Sequence, residues 1–336
     1  MTVRGVNAPV ALAGIELTDP DLTARVTSGL ARVEELLHRE VASEFGFVTE
    51  AASHLMQAGG KRFRPMLTLV AAGVGPKPDS DDVITAATVV ELIHLATLYH
   101  DDVMDEADVR RGAKSANARW DNSIAILTGD FLFAHASRLV AGLGPEAVRI
   151  IAETFAELVT GQTRETVGPR PDEDPIAHHL RVLDEKTASL IDTCGRYAGM
   201  FSGCSDTEIA ALRRFGRAIG IAFQISDDII DLGSADSGKT PGTDLRAGVP
   251  TLPVLYTLAE PDVDPLLRQR LAGPLTDDAD VAETAAQLRT GAGMASTRQT
   301  LGSYATRARA ALDELPPSPA VDALAALVPF VLDRTR

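Results

Sequence analysis

The sequence predicts an all-α fold, one domain of about ten helices arranged as a bundle. Three observations predict it. Aromatic residues make up only 4% of the chain while Ala and Leu are abundant, and strands prefer β-branched and aromatic side chains. Apolar residues recur at spacings of three and four over long segments, the period of a helix with one buried face. No run of alternating apolar and polar residues marks a set of strands.

Residues 1–20 read as a loose N-terminal arm, and the helical domain as 21–336. From Asp21 to Val41 the apolar residues Leu22, Val26, Leu30, Val33, Leu36 and Leu37 form one stripe. A second helix fits Phe47–Ala58 and stops at Gly59 and Gly60. Pro65 sits where a first-turn proline is tolerated, with a helix to about Ala72. Asp79, Ser80, Asp81 and Asp82 form a capping cluster before a long helix to about Glu106, which ends in a turn at Arg110–Gly112. Further helices fit Ser123–Leu143, Pro145–Val167, Ile176–Ser202 and Asp206–Leu232, with shorter ones to the C-terminus. Gly- and Pro-rich stretches at 168–175, 233–250 and 315–319 separate them.

The 336-residue chain has a net charge of −15. Such a chain repels a phosphate backbone, which argues against a nucleic-acid partner. Local basic islands then point to small anions. Cys194 and Cys204 lack metal-site spacing, and reduced thiols are expected. No segment reaches about 18 consecutive apolar residues, and the patch Pro9–Ile15 carries no cleavage signature, so a cytoplasmic location is expected.

Two aspartate trios carry the chemistry. In a helix, residues i and i+4 share a face roughly 6 Å apart, and i+1 lies about 100° round the axis. Asp101 and Asp105 therefore point together, with Asp102 beside them. Asp227, Asp228 and Asp231 form a similar DDxxD cluster on another helix. Carboxylates this close repel, and hard oxygen donors suit Mg²⁺, which keeps waters and accepts phosphate oxygens. An acidic cluster is more often a solvated helix face. Here His94, Leu95, Leu98 and Tyr99 precede the first trio, and Phe223, Ile225, Ile229 and Ile230 surround the second. Apolar flanks place the carboxylates at the mouth of an apolar region. Two trios facing each other would make a multi-metal clamp for a diphosphate.

Lys61, Arg62 and Arg64 stand beside Gly59 and Gly60, and Arg110 and Arg111 follow the first trio. Arginine forks bind phosphate bidentately and lysine acts as a point charge. Lys186, Thr187 and Lys239 offer further donors. Separate basic groups beside metal-binding aspartates imply two anionic groups. His94 lies two turns before Asp101, and His100, which adjoins the aspartates, is equally compatible with a structural role.

Together these residues resemble the trans-prenyl diphosphate synthases, the polyprenyl synthetase family. Gly59-Gly60-Lys61-Arg62-Phe63-Arg64-Pro65 looks like the family's GGKRxRP box. Glu91 to His94, His100 to Asp105 and Arg110 to Gly112 resemble its first aspartate region. Gly129-Asp130, Gly161-Gln162, Lys186-Thr187, Phe223-Gln224, Asp227 to Asp231 and Gly238-Lys239 to Asp244 follow in family order, over about residues 47–255. Within the family the likeness is to the long-chain enzymes of actinobacteria that make quinone side chains, such as that of menaquinone. The resemblance implies an isoprenoid-synthase-type helix bundle around a central cavity, and a homodimer. It implies condensation of isopentenyl diphosphate with an allylic diphosphate, using three Mg²⁺ per active site. Asp101, Asp102, Asp227 and Lys186 would be catalytic, and Asp101, Asp102, Asp105, Asp227, Asp228 and Asp231 would hold the metal. Lys61, Arg64, His94 and Arg111 would hold the isopentenyl diphosphate. Arg110, Lys186, Thr187, Gln224 and Lys239 would hold the allylic one. The family usually has a lysine where this chain has Val249, which removes one cationic contact of the second region.

A growing product needs an apolar path. Ile93, Ala96 and Thr97 lie upstream of Asp101, and the small pair Ala96 and Thr97 looks like an open tunnel where bulky residues block elongation in this family. A heptaprenyl to decaprenyl product is expected, in transient contact with a membrane surface. A short-chain farnesyl or geranylgeranyl synthase is the alternative, as is a non-catalytic subunit of a two-component synthase. A terpene cyclase would normally lack the second DDxxD and the GGKRxRP box, and a helical scaffold would need neither motif.

Overall fold

The computed structural model describes residues 11–12, 14–233 and 242–335; Lys239 lies outside them, as do residues 1–10 of the expected arm. The elements run β1 (Ala11–Leu12), β2 (Ile15–Glu16), α1 (Pro20–Val41), α2 (Gly46–Gln57), α3 (Phe63–Ala72), α4 (Asp81–Met104), β3 (Val109–Arg110), β4 (Ala113–Lys114), α5 (Ala116–Arg119), α6 (Asn122–Ala141) and α7 (Pro145–Val167). They continue with α8 (Pro175–Leu183), a π-helical turn (Asp184–Ala188), α9 (Ser189–Ser202), α10 (Asp206–Asp231), α11 (Thr243–Ala247), α12 (Leu252–Leu258), α13 (Pro265–Arg270), α14 (Asp278–Thr290), α15 (Ala292–Leu312) and α16 (Pro319–Asp333). The all-α class is as expected.

The chain divides into two compact units, each assembled from separate stretches of sequence. The first comprises 1–155, 190–213 and 312–327, and the second 156–189, 214–311 and 328–336.

In the first unit α4 is the core helix. Ser80 starts it by accepting from the Val83 N–H at 3.2 Å. Residues on every side of it are buried, Val83, Ala87, Val90, Ile93 and Ala96 among them, as expected of a helix without a solvent face. It packs against α1, α3 and α6. α1 offers the predicted stripe, with Leu22, Val26, Val33 and Leu37 buried. Each such side chain contributes roughly 1.5–3 kcal/mol by leaving water. The Tyr99 hydroxyl donates to Ala51 O at 2.5 Å and accepts from the Leu55 N–H at 3.2 Å, which ties α4 to α2.

Small departures from the sequence expectation occur at turns. Two short antiparallel hairpins, β1–β2 and β3–β4, replace the strandless reading. In the second hairpin Arg111 (φ 54°) and Gly112 (φ 76°) both take the left-handed region, as a two-residue type I′ turn requires. The expected single helix 176–202 carries the π turn in its middle. Neither cysteine is disulfide-bonded. By length and mean hydropathy α4 and α6 would each suffice to cross a membrane, but 72% of the apolar window in α4 is buried, against 33% in α6.

Candidate active site

The first trio occupies the end of α4. Asp101 and Asp102 lie in its last turn and Asp105 is its C-cap, with no basic residue in that turn. The helix dipole places partial negative charge there, so three carboxylates add to an unfavourable field. Arg110, delivered by the β3–β4 hairpin, offsets it. Its Nε donates to Asp102 Oδ1 at 2.5 Å and its Nη2 lies 3.8 Å from Asp105 Oδ2. Asp102 is fully buried, and its Oδ2 has no hydrogen-bond partner. Burial pushes the Asp102 carboxyl up, against the pull of Arg110. A buried carboxylate oxygen without a partner is costly, and a hard cation is the kind of group that would satisfy it.

The basic island forms beside it. Gly59 and Gly60 take positive φ of 103° and 149°. Gly59 O accepts from Arg111 Nη1 at 2.6 Å, and Leu55 O accepts from the same nitrogen at 2.9 Å. A Cβ on Gly60 would lie 2.8 Å from that Nη1, so this glycine is needed for close approach as well as for its backbone angle. Arg62 also sits in the left-handed region, at φ 45°. Such non-glycine conformations cost of order 1–3 kcal/mol and gather where structure and site demand them. Arg62 pairs with Glu34 and, at 3.4 Å, with Glu91. Arg64 and His94 are half-buried and Lys61 is exposed. Burial, then the arginines nearby, hold the His94 imidazole well below its ordinary value. It therefore stands neutral, a hydrogen-bonding group rather than a cation.

His100 packs against α6. A Cβ on Gly129 of α6 would lie 2.3 Å from His100 Nε2, so the imidazole fills the space that this glycine vacates. The ring nitrogen also reaches Ile126 O at 3.3 Å and Asp130 at 3.4 Å. The Gly129-Asp130 box thereby seats α6 on α4. Ile93 and Ala96 are fully buried and Thr97 is half-buried, its hydroxyl donating to His94 O at 2.8 Å.

The second trio lies in the second unit, at the end of α10, again without a basic residue in the last turn. Each of its carboxylates has protein partners. Arg334 Nη2 reaches Asp227 Oδ1 at 2.6 Å, with its guanidinium 4.3 Å from the Phe223 ring. Asp228 Oδ2 accepts from His179 Nε2 at 3.0 Å and from the Leu252 N–H at 3.3 Å. Asp231 accepts from the N–H groups of Thr243 and Asp244 at 3.1 and 3.0 Å, and so caps the start of α11. Burial, with Asp231 and Asp228 adding, pushes the Asp244 carboxyl up to about 7. The π turn presents Lys186 and Thr187, both half-buried, and Lys186 pairs with Glu165. Gly161 of α7 permits this, since a Cβ there would lie 2.5 Å from Lys186 N. Gln224 is half-buried one turn before Asp227, and Val249 is exposed.

The structure thus gathers Asp101, Asp102, Asp105, Arg110, Arg111, Lys61, Arg64 and His94 in one unit. Asp227, Asp228, Asp231, Lys186, Thr187 and Gln224 belong to the other. Among the described residues no three or more His, Cys, Asp or Glu side chains already surround one metal position. Sequence reasoning named neither His179 nor Arg334, gave Glu91 and Asp244 no role of their own, and read Arg62 as a phosphate partner, whereas it pairs with Glu34 and Glu91. His179 and Arg334 meet the trio across 49 and 107 residues, and no local pattern signals such a pairing. Asp244 stood inside a recognised box and was legible.

Comparison with known proteins places the chain among relatives. The polyprenyl synthetase family model matches residues 46–288. The chain is 54% identical to nonaprenyl diphosphate synthase of Mycobacterium tuberculosis, over 96% of this chain and 97% of that protein. It is similar to the solved structure of geranylgeranyl pyrophosphate synthase from Corynebacterium glutamicum, complexed with calcium and isoprenyl diphosphate. That match has 51% identity and a TM-score of 0.87 over 96% of this chain and 99% of the other. A decaprenyl diphosphate synthase from Rhodobacter capsulatus matches at 33% identity with a TM-score of 0.86, covering 94% and 99%.

Proposed function

We propose, for a chain that belongs to the polyprenyl synthetase family and is a prenyltransferase, that it condenses isopentenyl diphosphate with an allylic diphosphate to give a long product, heptaprenyl to decaprenyl, for a quinone side chain in the cytoplasm. The observation that carries the reaction is Asp102, buried at a helix C-terminus with Arg110 on one oxygen and nothing on the other.

The donor set is one of hard oxygens and fits Mg²⁺, which takes one or two carboxylates together with substrate phosphates and needs no preformed cage. By the family resemblance Asp101, Asp102, Asp105, Asp227, Asp228 and Asp231 would hold the metal, three Mg²⁺ per active site. When bound, Mg²⁺ supplies positive charge where negative charge develops on the departing diphosphate. Arg110, Lys186, Thr187, Gln224 and Lys239 orient that allylic diphosphate. Its C–O bond breaks and the electron pair leaves with the diphosphate. The isopentenyl double bond supplies the pair for the new C–C bond, and a proton then passes from the isopentenyl unit to the released diphosphate. Lys61, Arg64, His94 and Arg111 hold the isopentenyl diphosphate in line. Neutral His94 donates one hydrogen bond without adding charge.

The relatives include synthases named for geranylgeranyl and for nonaprenyl products, so the fold alone does not set product length. Small, buried Ala96 beside Thr97 supports elongation here. A homodimer belongs to this reading through the family resemblance, and the neighbouring Ile126 and Leu127 of α6 are exposed, at 43% and 62%. Incubation with labelled isopentenyl diphosphate, Mg²⁺ and several allylic primers tests the whole. Long polyprenyl products are expected. Geranylgeranyl as the end product would overturn the chain length, and no prenyl product from any primer would overturn the reaction.

A further inference from the structure

Glu91 is a buried charge that none of the roles above uses. It lies on α4 one turn before His94 and is 1% exposed. Arg62 Nη1 approaches its Oε1 at 3.4 Å; burial pushes the Glu91 carboxyl up, and Arg62, Arg64 and Arg111 pull it back. Arg62 is itself fixed from the far side, by Glu34 and by Met56 O at 3.3 Å. A Cβ on Gly60 would meet the guanidinium groups of both Arg111 and Arg62, at 2.8 and 3.1 Å. Several like charges therefore converge on one small region. Guanidinium groups repel when so gathered, and a carboxylate is withdrawn from water only at a large cost unless cations face it. The two problems solve each other at Glu91.

We propose that Glu91 is a positioning residue for isopentenyl diphosphate, its carboxylate serving as the fixed counter-charge that keeps Arg62, Arg64 and Arg111 gathered before the substrate arrives. The proposal rests on the assignment of Lys61, Arg64, His94 and Arg111 to that substrate. It carries a kinetic signature. The diphosphate of isopentenyl diphosphate does not leave, so its charge is the same in the ground state and in the transition state. Contacts to it are uniform binding, and weakening them raises KM while leaving kcat in place.

The experiment is steady-state kinetics of Glu91→Gln and Glu91→Asp, with both substrates varied. Glu91→Gln is expected to raise KM for isopentenyl diphosphate by about 10-fold or more, with kcat within about 3-fold and KM for the allylic substrate unchanged. Glu91→Asp keeps the charge and should recover most of the loss. A wild-type KM in Glu91→Gln would overturn the proposal. So would a fall in kcat at unchanged KM, or an Asp variant no better than the Gln one, which would mean packing alone. Should Glu91→Gln not fold, Arg62→Gln removes the hydrogen-bonded partner and is read in the same way. Lys61→Ala separates the two levels. If it raises KM for isopentenyl diphosphate and Glu91→Gln does not, only the role of Glu91 falls. If neither does, the substrate assignment falls with it.

Discussion

The two aspartate trios share a spacing and a place at the end of a helix, yet the protein treats them differently. Around the first, the chain leaves an acceptor open: Asp102 is buried with one oxygen on Arg110 and the other without a partner. Around the second, the chain has taken acceptors for itself. Asp228 is held by His179 and the Leu252 N–H, and Asp231 caps α11 through two backbone N–H groups. Identical motifs are therefore not identical sites. A carboxylate that accepts two backbone N–H bonds is already oriented and partly neutralised, and it has less to offer a metal. Asp102 is the member with a buried oxygen that lacks a protein partner, and Asp231 is the member held by two backbone N–H groups.

The largest effect that would break this comparison lies in turnover. Asp102→Asn should lower kcat by about 10²–10³-fold, the range seen when one preorganised electrostatic group is lost. Its fold should survive, because Asn still accepts from Arg110. Asp231→Ala should lower kcat far less. Instead it should cost about 0.5–2 kcal/mol of stability, the usual worth of an N-terminal cap. Turnover at saturating Mg²⁺ and urea denaturation check both. Equal turnover losses in the two variants would erase the distinction.

A second effect is smaller and appears in the pH dependence of stability. Asp244 lies among Asp231, Asp228 and Glu165, and its carboxyl is raised from 3.8 to about 7 in the folded state. Between those values the folded state binds the proton and the unfolded state does not. The unfolded state then binds fewer protons, so stability contributed by this group falls as pH rises. Wild type minus Asp244→Asn, measured by denaturation at each pH without divalent metal, should show a decline between about pH 4 and pH 7. A flat difference would mean that the carboxylates around α11 do not interact as placed.

The fold was legible where burial is periodic. α1, α4, α6, α7 and α10 repeat apolar residues often enough that a sequence window resolves them, and their observed bounds lie close to those expected. The site was legible where residues cluster in sequence, as in both trios and the basic box. What could not be read depends on geometry that no window contains. The π turn changes the hydrogen-bond register by one residue without disturbing the apolar pattern, yet it aims Lys186 and Thr187. The β3–β4 hairpin looked like a charged turn, because Arg111 stands where a type I′ turn favours Gly or Asn. Arg62 read as one more basic residue, and only its left-handed backbone shows that its guanidinium turns back to Glu34 and Glu91. Arg334 could be connected with Asp227 only after folding.

The smallest expected effect on turnover sharpens the comparison furthest along the helices. Five residues before Asp101 stands Ala96, and five before Asp227 stands Ala222. Both are fully buried, so Phe at either place must overpack a filled interior, at a cost of about 1–3 kcal/mol. If both trios topped a product path, both substitutions would shorten the product. If only α4 borders the path, the outcomes separate. Ala96→Phe should shift the product to fewer isoprene units while kcat per condensation changes by less than about 10-fold, since the added ring lies upstream of the diphosphate contacts. Ala222→Phe should lower the melting temperature and leave product length as in wild type. Chromatography of the dephosphorylated products from both variants decides. Unchanged length in Ala96→Phe removes Ala96 from the tunnel wall, and a shortened product in Ala222→Phe extends that wall to α10.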